Sequence, residues 1–165
     1  MNYIVRDREF KDIESIEFIV TNGWNNTYKG LVSDNVLLYI KEHELDRIEK
    51  RKSDFDINNN DYIVIEVDEK VVGFAKYGDA DEEGYGELFA LYILDEYQGH
   101  GFGKVLVDEV SKRLKMKGYE RMLIGCLVGN PNNEFYKHIG GKFKCNKTSV
   151  RLGEEMTDNV YEFII

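Results

Sequence analysis

The sequence predicts an α/β fold in a single domain, and three observations carry that expectation. The chain has 165 residues, 42% of them hydrophobic and 13% aromatic, enough for one domain that buries roughly 70% of its unfolded surface without staples. Apolar runs of strand length alternate with segments whose apolar residues recur at helical spacing. A strand, a glycine-rich turn, a long amphipathic helix and a second apolar strand follow one another over residues 85–128. That order is a βαβ unit, whose crossover should be right-handed.

From the N-terminus, residues 3–6 open as a strand. Ile13, Ile16 and Ile19/Val20 define a first helix, expected to stop near Gly23. Trp24 to Gly30 reads as a loop, and Ser33 caps a charged second helix running through Val36, Leu37, Ile40, Leu45 and Ile48. After the turn cluster Asn58–Asp61, the runs Tyr62–Val67 and Val71–Tyr77 flank Asp68-Glu69-Lys70 as a hairpin. An acidic turn, Gly78–Gly84, leads into Tyr85–Leu94, whose apolar centre lacks alternation and should be buried on both faces. The long helix carries Val105, Leu106, Val110 and Leu114 on one side and ends at Gly118. Met122–Val128 is a buried strand. Asn130-Pro131 then supplies a cap and a first helical position for a short helix through Phe135, Tyr136 and Ile139. Strands near Phe143–Ser149 and Asn159–Ile165 close the chain.

Thirty-one acidic against 22 basic residues leave a formal charge of −9, which repels polyphosphate backbones and argues against nucleic-acid binding. A cationic partner is favoured, with a plain solubility role as the alternative. No stretch approaches the roughly 18 apolar residues of a membrane span, and Met1–Asp12 lacks the basic start and apolar run of a signal peptide. A soluble cytoplasmic protein with no membrane partner is expected. Cys126 and Cys145 are too far apart for a CxxC pair and too few for a disulfide framework. Cys126, inside an apolar strand, reads as core rather than nucleophile. His43, His100 and His138 have no metal-ligand spacing, so no metal is expected.

The central feature is Tyr97-Gln98-Gly99-His100-Gly101-Phe102-Gly103-Lys104, between a buried strand and a long helix. Glycines there admit a ligand close to the backbone, and the free amides and positive end of the helix suit a phosphate or pyrophosphate. The alternative is a merely structural strand-to-helix turn. A Walker A loop is excluded, because Gln98 stands where its first glycine belongs and Val105 where Ser or Thr belongs. A Rossmann fingerprint is excluded too, because Lys104 stands at its third glycine and the turn lies past mid-chain.

The remaining pattern, Gln98-x-x-Gly101-x-Gly103, resembles the acetyl-CoA-binding motif of the GNAT superfamily of N-acetyltransferases. Leu91-Tyr92-Ile93-Leu94 directly before it, and the run Asn130-Pro131-Asn132-Asn133-Glu134-Phe135-Tyr136-Lys137-His138-Ile139-Gly140-Gly141 one helix and one strand later, resemble further motifs of the same superfamily. The element order extends the likeness over nearly the whole chain, with the N-terminal third matching by pattern alone.

The resemblance implies a central mixed, mostly antiparallel, twisted sheet with helices on both faces. It also implies acetyl-CoA as co-substrate, with direct transfer of acetyl to a primary amine. Ile93 and Leu94 would pair their backbone with the pantetheine arm, while Gln98, Gly99, His100, Gly101, Phe102, Gly103 and Lys104 would wrap the pyrophosphate. Asn130 would hydrogen-bond the cofactor arm besides capping its helix. Asn133 is a second cofactor candidate, or an ordinary surface residue. Tyr136 would protonate the departing thiolate, which a phenol with a pKa near 10 can do at neutral pH; its alternative is an aromatic packed on the sheet. An attacking amine must lose a proton, and Glu87 would accept it through water, unless it is a simple strand-end carboxylate. Trp24, Thr27 and Tyr28 would form the acceptor wall or merely pack the helix pair. Asp79, Asp81, Glu82 and Glu83 are a cation-collecting rim or a solvated turn. The expected acceptor is a small cationic amine such as a polyamine. A peptide N-terminus or lysine, and a non-catalytic CoA-binding regulatory module, are the alternatives. Oligomeric state is open, a homodimer included.

Overall fold

The computed structural model describes residues 1–165. Strands β1 (Tyr3–Asp7), β2 (Tyr62–Val67), β3 (Lys70–Asp79), β4 (Gly86–Ile93), β5 (Arg121–Leu127), β6 (Lys142–Arg151) and β7 (Glu154–Ile164) form one sheet in the order β1-β2-β3-β4-β5-β7-β6. Helices α1 (Ile13–Thr27), α2 (Asp34–Glu42), α3 (Glu44–Asp54), α4 (Phe102–Met116) and α5 (Asn132–His138) flank it. The β4–β5 pair, joined through α4, is parallel, while β1–β2, β2–β3, β5–β7 and β6–β7 are antiparallel. This is the mixed, mostly antiparallel sheet expected. No helix is long and apolar enough to cross a membrane. The chain separates into two compact units, Met1–Lys76 with Ala90–Leu106, and Tyr77–Phe89 with Val107–Ile165.

In the first unit, Ile63, Val64 and Ile65 of β2 are fully buried, as are Ile13, Ile16 and Ile19 of α1. The β2–β3 hairpin turns on Asp68 and Glu69, both left-handed at φ 48° and 64°, the conformation a two-residue hairpin loop demands. Two expectations are corrected here. Helix α1 does not stop at Gly23 but continues to Thr27, so Trp24–Thr27 is helical rather than loop. A Cβ on Gly23 would stand 2.4 Å from Tyr92 Cδ1; the glycine permits a close approach inside the helix. The single second helix is two helices. Ser33 caps α2, its Oγ accepting from the Val36 amide at 3.3 Å, but His43 (φ −100°, ψ 15°) separates α2 from α3. The five-residue step from Ile40 to Leu45 fits no helical face, and Leu45 is exposed.

In the second unit, β5 lies between β4 and β7. Gly118 ends α4 as expected: at φ 101° it donates to Lys115 O while the Tyr119 amide donates to Leu114 O, a Schellman pair. Gly86 lets α4 press on the sheet, since a Cβ there would stand 2.8 Å from the Leu114 methyls. Strand β7 starts at Glu154, earlier than expected. Its polar first half has no apolar pattern and is held by pairing with β6, including a Thr148–Thr157 hydroxyl contact of 2.8 Å. The expectation that Tyr85–Leu94 is buried on both faces is corrected as well. Parallel pairing with β5 runs from Gly86 to Leu88, and Phe89, one residue beyond, is 47% exposed.

Candidate active site

In the first unit, the expected cofactor residues gather where β4 passes into α4. The Leu94 amide donates to Val72 O on β3 at 2.9 Å. Backbone polar groups of successive strand residues point to opposite edges, so those of Ile93 face away from β3. On that edge Ile93 O accepts from Gln98 Nε2 at 3.1 Å. Nε2 also donates to Asp95 Oδ1 at 3.1 Å, and Asp95 Oδ2 accepts from Asn26 Nδ2 at 2.9 Å. Gln98 therefore spends both amide hydrogens bracing the turn.

Gly99 and Gly101 follow at φ 77° and 82°, a region that costs other L-residues about 1–2 kcal/mol. A Cβ built on either meets no atom within 4 Å, so the ground above the turn is open. The Val105 amide donates to Gly101 O. The amides just before Val105 are those a helix leaves without an intrahelical acceptor. His100 folds back, its Nδ1 3.0 Å from Gln98 O, and its ring stacks on buried Phe102 at 5.8 Å. These two side chains are scaffold, so their backbone is what they offer a ligand. Lys104 is exposed on the first turn of α4. Open amides, a helix N-terminus and a lysine suit a doubly phosphorylated anion.

The half-buried segment proposed as acceptor wall sits at the end of α1 in the same unit. Trp24 and Tyr28 pack with ring centroids 4.5 Å apart, and Thr27 is the last residue of the helix. Asn26 ties this segment to the turn through Asp95. Neither Asn26 nor Asp95 had a sequence signal, since their link joins residues 69 apart.

In the second unit, the loop after β5 and helix α5 bring Asn130, Asn133 and Tyr136 together. Asn130, 5% exposed, caps as expected: its Oδ1 accepts from the Asn132 amide at 2.8 Å, and Pro131 takes helical φ and ψ. Its Nδ2 has no partner within the protein. Asn133 departs from its reading as a surface residue. It is buried rather than at the surface, and its side chain is saturated: Nδ2 donates to Leu127 O and Asn130 O at 2.9 and 2.7 Å. Its Oδ1 accepts from Asn159 Nδ2 and the Tyr161 hydroxyl at 3.0 and 2.8 Å. With all four hydrogen-bonding positions of its side chain used, Asn133 braces the loop.

Tyr136 is 7% exposed, its ring 5.2 Å from Phe135 and 6.4 Å from Tyr161. Gly141 donates to Tyr136 O, and a Cβ on Gly141 would stand 2.7 Å from that oxygen. The Gly-Gly end of the motif is thus a requirement of close packing. Glu87 lies half-buried on β4, its acidity reduced by burial first and then by Asp81 and Asp158, with Lys147 opposing. Burial also pushes the Cys126 thiol up to about 12, which keeps it protonated and poorly nucleophilic at neutral pH. Of the acidic turn, Asp79 accepts from the Tyr119 hydroxyl at 2.7 Å and Glu82 pairs with Lys144 at 3.2 Å. Asp81 and Glu83 are exposed.

Comparison with known proteins matches residues 24–140 to the Acetyltransferase (GNAT) family. The N-acetyltransferase YuaI of Bacillus subtilis (strain 168), itself uncharacterized, is 30% identical over 138 residues, which cover 81% of this chain and 76% of that protein. A spermidine N(1)-acetyltransferase of Thermoplasma acidophilum is 27% identical over 124 residues, covering 72% of this chain and 74% of that protein. Among solved structures, the PaiA N-acetyltransferase of Thermoplasma acidophilum in complex with coenzyme A superposes with a TM-score of 0.74 at 23% identity, covering all of both chains.

Proposed function

The chain belongs to the Acetyltransferase (GNAT) family and is an N-acetyltransferase; from that premise we propose that it moves the acetyl group of acetyl-CoA directly to a primary amine of a small cationic acceptor, a polyamine first of all. The observation that carries the cofactor half is the pair of left-handed glycines, Gly99 and Gly101, with open ground above them at the start of α4. The acceptor half is supported by the net charge of −9, the exposed carboxylates Asp81 and Glu83, and the likeness to a spermidine acetyltransferase. The family match runs through residues of both units, which supports reading 1–165 as one acetyltransferase domain. The absence of a membrane-length helix and two free cysteines are in keeping with a cytoplasmic location.

When bound, acetyl-CoA supplies an acyl group already activated as a thioester. The chain's residues hold it and manage two protons. Backbone amides from Gly99 to Gly103 take the pyrophosphate, with Lys104 adding charge and Gln98 fixing the turn to Ile93. The Leu94 amide is committed to Val72 and the Ile93 carbonyl already accepts from Gln98, so the backbone group offered to the pantetheine arm is the Ile93 amide. Asn130 donates its free Nδ2 to a carbonyl of that arm, and Asn133 holds Asn130 by its main chain. Trp24, Thr27 and Tyr28 wall the acceptor. The amine attacks only when neutral; Glu87 takes its proton through water, and the raised pKa of this carboxylate brings it nearer working pH, where a general base is most effective. Tyr136 returns a proton to the departing thiolate. Positioning supplies most of the acceleration, because a thioester and a neutral amine need little further activation.

The test is an acceptor panel of polyamines, aminoglycosides, amino acids and peptides, read by CoA release. Spermidine is expected to give the highest kcat/KM. A peptide N-terminus turned over faster than spermidine would overturn the acceptor assignment. A melting temperature unmoved by excess acetyl-CoA would overturn the cofactor assignment itself.

A further inference from the structure

Arg8, at the end of β1, carries a guanidinium that has no hydrogen-bond partner in the protein. The residue is 7% exposed. Its main chain is satisfied, the amide donating to Tyr62 O and the carbonyl accepting from Asn60 Nδ2. Its side chain is clamped instead: Cζ lies 3.9 Å from the Tyr62 ring centroid and 5.2 Å from that of Phe55. Rings satisfy the faces of a guanidinium, but its five N–H groups point outward in its own plane and stay unpaired.

The nearby carboxylates do not supply the missing acceptors. Glu17, itself 3% exposed, is taken by two other arginines, with Arg47 Nε 3.5 Å from its Oε2 and Arg51 Nε 3.2 Å from its Oε1. Asp61 acts on Arg8 through space without an ion pair, and Arg51 adds like charge. Three guanidiniums thus stand against two carboxylates, inside a chain that is strongly acidic as a whole. A buried charge without a hydrogen-bonding counter-charge is costly. A buried polar group left unpaired in a native fold calls for an ion or ligand to explain it. Nε is the nitrogen sealed from solvent without a partner, which leaves the Nη fork as the accessible edge.

We propose that the Arg8 guanidinium, held between Tyr62 and Phe55, is a binding site for a small oxyanion, separate from the glycine turn. The class of ligand is a carboxylate or a phosphate group, either of which accepts two parallel N–H bonds from an arginine fork. The rings fix the plane of the fork in advance, so little side-chain freedom remains to be lost on binding. Arg51 adds long-range attraction for the same charge. Phe55 follows the last residue of α3 and leads into the exposed residues Asp56–Asn59.

The arginine Nε–H resonances of the full chain, followed during titration with inorganic phosphate and separately with citrate, test the proposal. The Arg8 signal, assigned by its loss in Arg8→Lys, is expected to shift saturably in the native chain. It should shift equally in Gly101→Val, where the glycine turn no longer contributes. Calorimetry on Arg8→Lys, which keeps the charge but not the fork, should show binding weakened about tenfold, or ~1.4 kcal/mol. Saturation by one anion and not the other identifies which oxyanion the site takes. No saturable shift with either, or equal affinity in Arg8→Lys, would overturn the site and leave Arg8 a stacking residue.

Discussion

The glycine turn at the start of α4 and the loop–helix segment after β5 are built on opposite plans. The turn works by what it omits: no Cβ at Gly99 or Gly101, nothing within 4 Å where one would stand, and amides without intrahelical acceptors. The segment from Asn130 to Tyr136 works by what it has filled, with the Asn133 amide saturated and Gly141 closed down on the Tyr136 carbonyl. A region of open backbone tolerates sequence change in its fold but not in its ligand; a saturated region behaves the other way round. The two should therefore fail differently when mutated, and the sharpest contrast comes from one substitution in each.

Asn133→Ala should have the largest effect on stability. It leaves the buried Tyr161 hydroxyl and the half-buried Asn159 amide without their acceptor, and removes one of two donors from each of the Leu127 and Asn130 carbonyls, which keep the Asn130 and Asn133 backbone amides. At roughly 1–3 kcal/mol for a buried group left unsatisfied, a loss of about 2 kcal/mol is expected. Denaturant unfolding measures it, and a loss under ~0.5 kcal/mol would mean that the network is not holding the loop. Gly101→Val should reverse the pattern. Its fold loses about 1–2 kcal/mol from the left-handed backbone, but the stabilisation by acetyl-CoA, about 2.7 kcal/mol at a hundredfold excess over Kd, should vanish. Thermal shifts with and without the cofactor separate the two terms.

Tyr136→Phe asks whether the saturated segment also does chemistry. Cofactor binding should persist while kcat falls about 10²-fold, the low end for a general acid, since a thiolate is already a fair leaving group. An unaltered kcat under conditions where chemistry limits the rate would pass the proton to water and leave Tyr136 a packing residue.

The two plans were not equally legible. Open backbone is written locally: the glycine spacing at Gly99, Gly101 and Gly103, and Gly118 at the end of α4, need only their own neighbours to be understood. The β2–β3 hairpin and the Asn130–Pro131 helix start were readable for the same reason. A saturated network is written across the chain. Asn133 looks like a polar surface residue until Asn159 and Tyr161 arrive from 26 and 28 residues away. Gly23 reads as a helix stop until Tyr92 fills the space beside it, and Asn26 reads as loop until Asp95 takes its amide. The polar first half of β7 has no pattern of its own and depends on β6. Only the break at His43 left a trace, in the five-residue step between Ile40 and Leu45.

Charge separates the units as well, and with opposite signs. In the first, burial pulls Asp12 up, but hydrogen bonds from Arg6 and the Glu9 amide outweigh it and hold the carboxyl below its usual range. In the second, burial raises Glu87. A lowered carboxyl contributes stability above its ordinary pKa and loses it as pH falls through the lowered value. A raised one contributes below the ordinary value and loses it as pH climbs toward the raised value. Asp12→Asn should therefore destabilise at neutral pH and less so in acid. Glu87→Gln should stabilise at neutral pH, with the gain fading as pH drops below the ordinary carboxylate range. The same Glu87→Gln change should cut kcat/KM for the amine, the combination expected where an ionised group is kept for its reactivity at the expense of the fold.

The smallest effect is expected at the acidic turn, where the reading of a cationic acceptor is most exposed to failure. Asp79 and Glu82 already have protein partners in Tyr119 and Lys144, so Asp81 and Glu83 carry most of any attraction for a distal ammonium. A polyamine keeps such a charge after one nitrogen has lost its proton, so the far end can rest on the rim while the neutral end reacts. Exposed pairs are worth about 0.2–1 kcal/mol each. Neutralising Asp81, Glu82 and Glu83 together should raise KM for spermidine about threefold to tenfold and leave kcat nearly unchanged, the signature of lost uniform binding. Salt should mimic the variant, because the screening length falls from about 10 Å at 0.1 M to about 3 Å at 1 M. A monoamine of similar length has no distal charge to lose, so its KM should not move. Equal changes for monoamine and polyamine would assign the turn to solvation alone, and would place the selection of the acceptor with Trp24, Thr27 and Tyr28 instead.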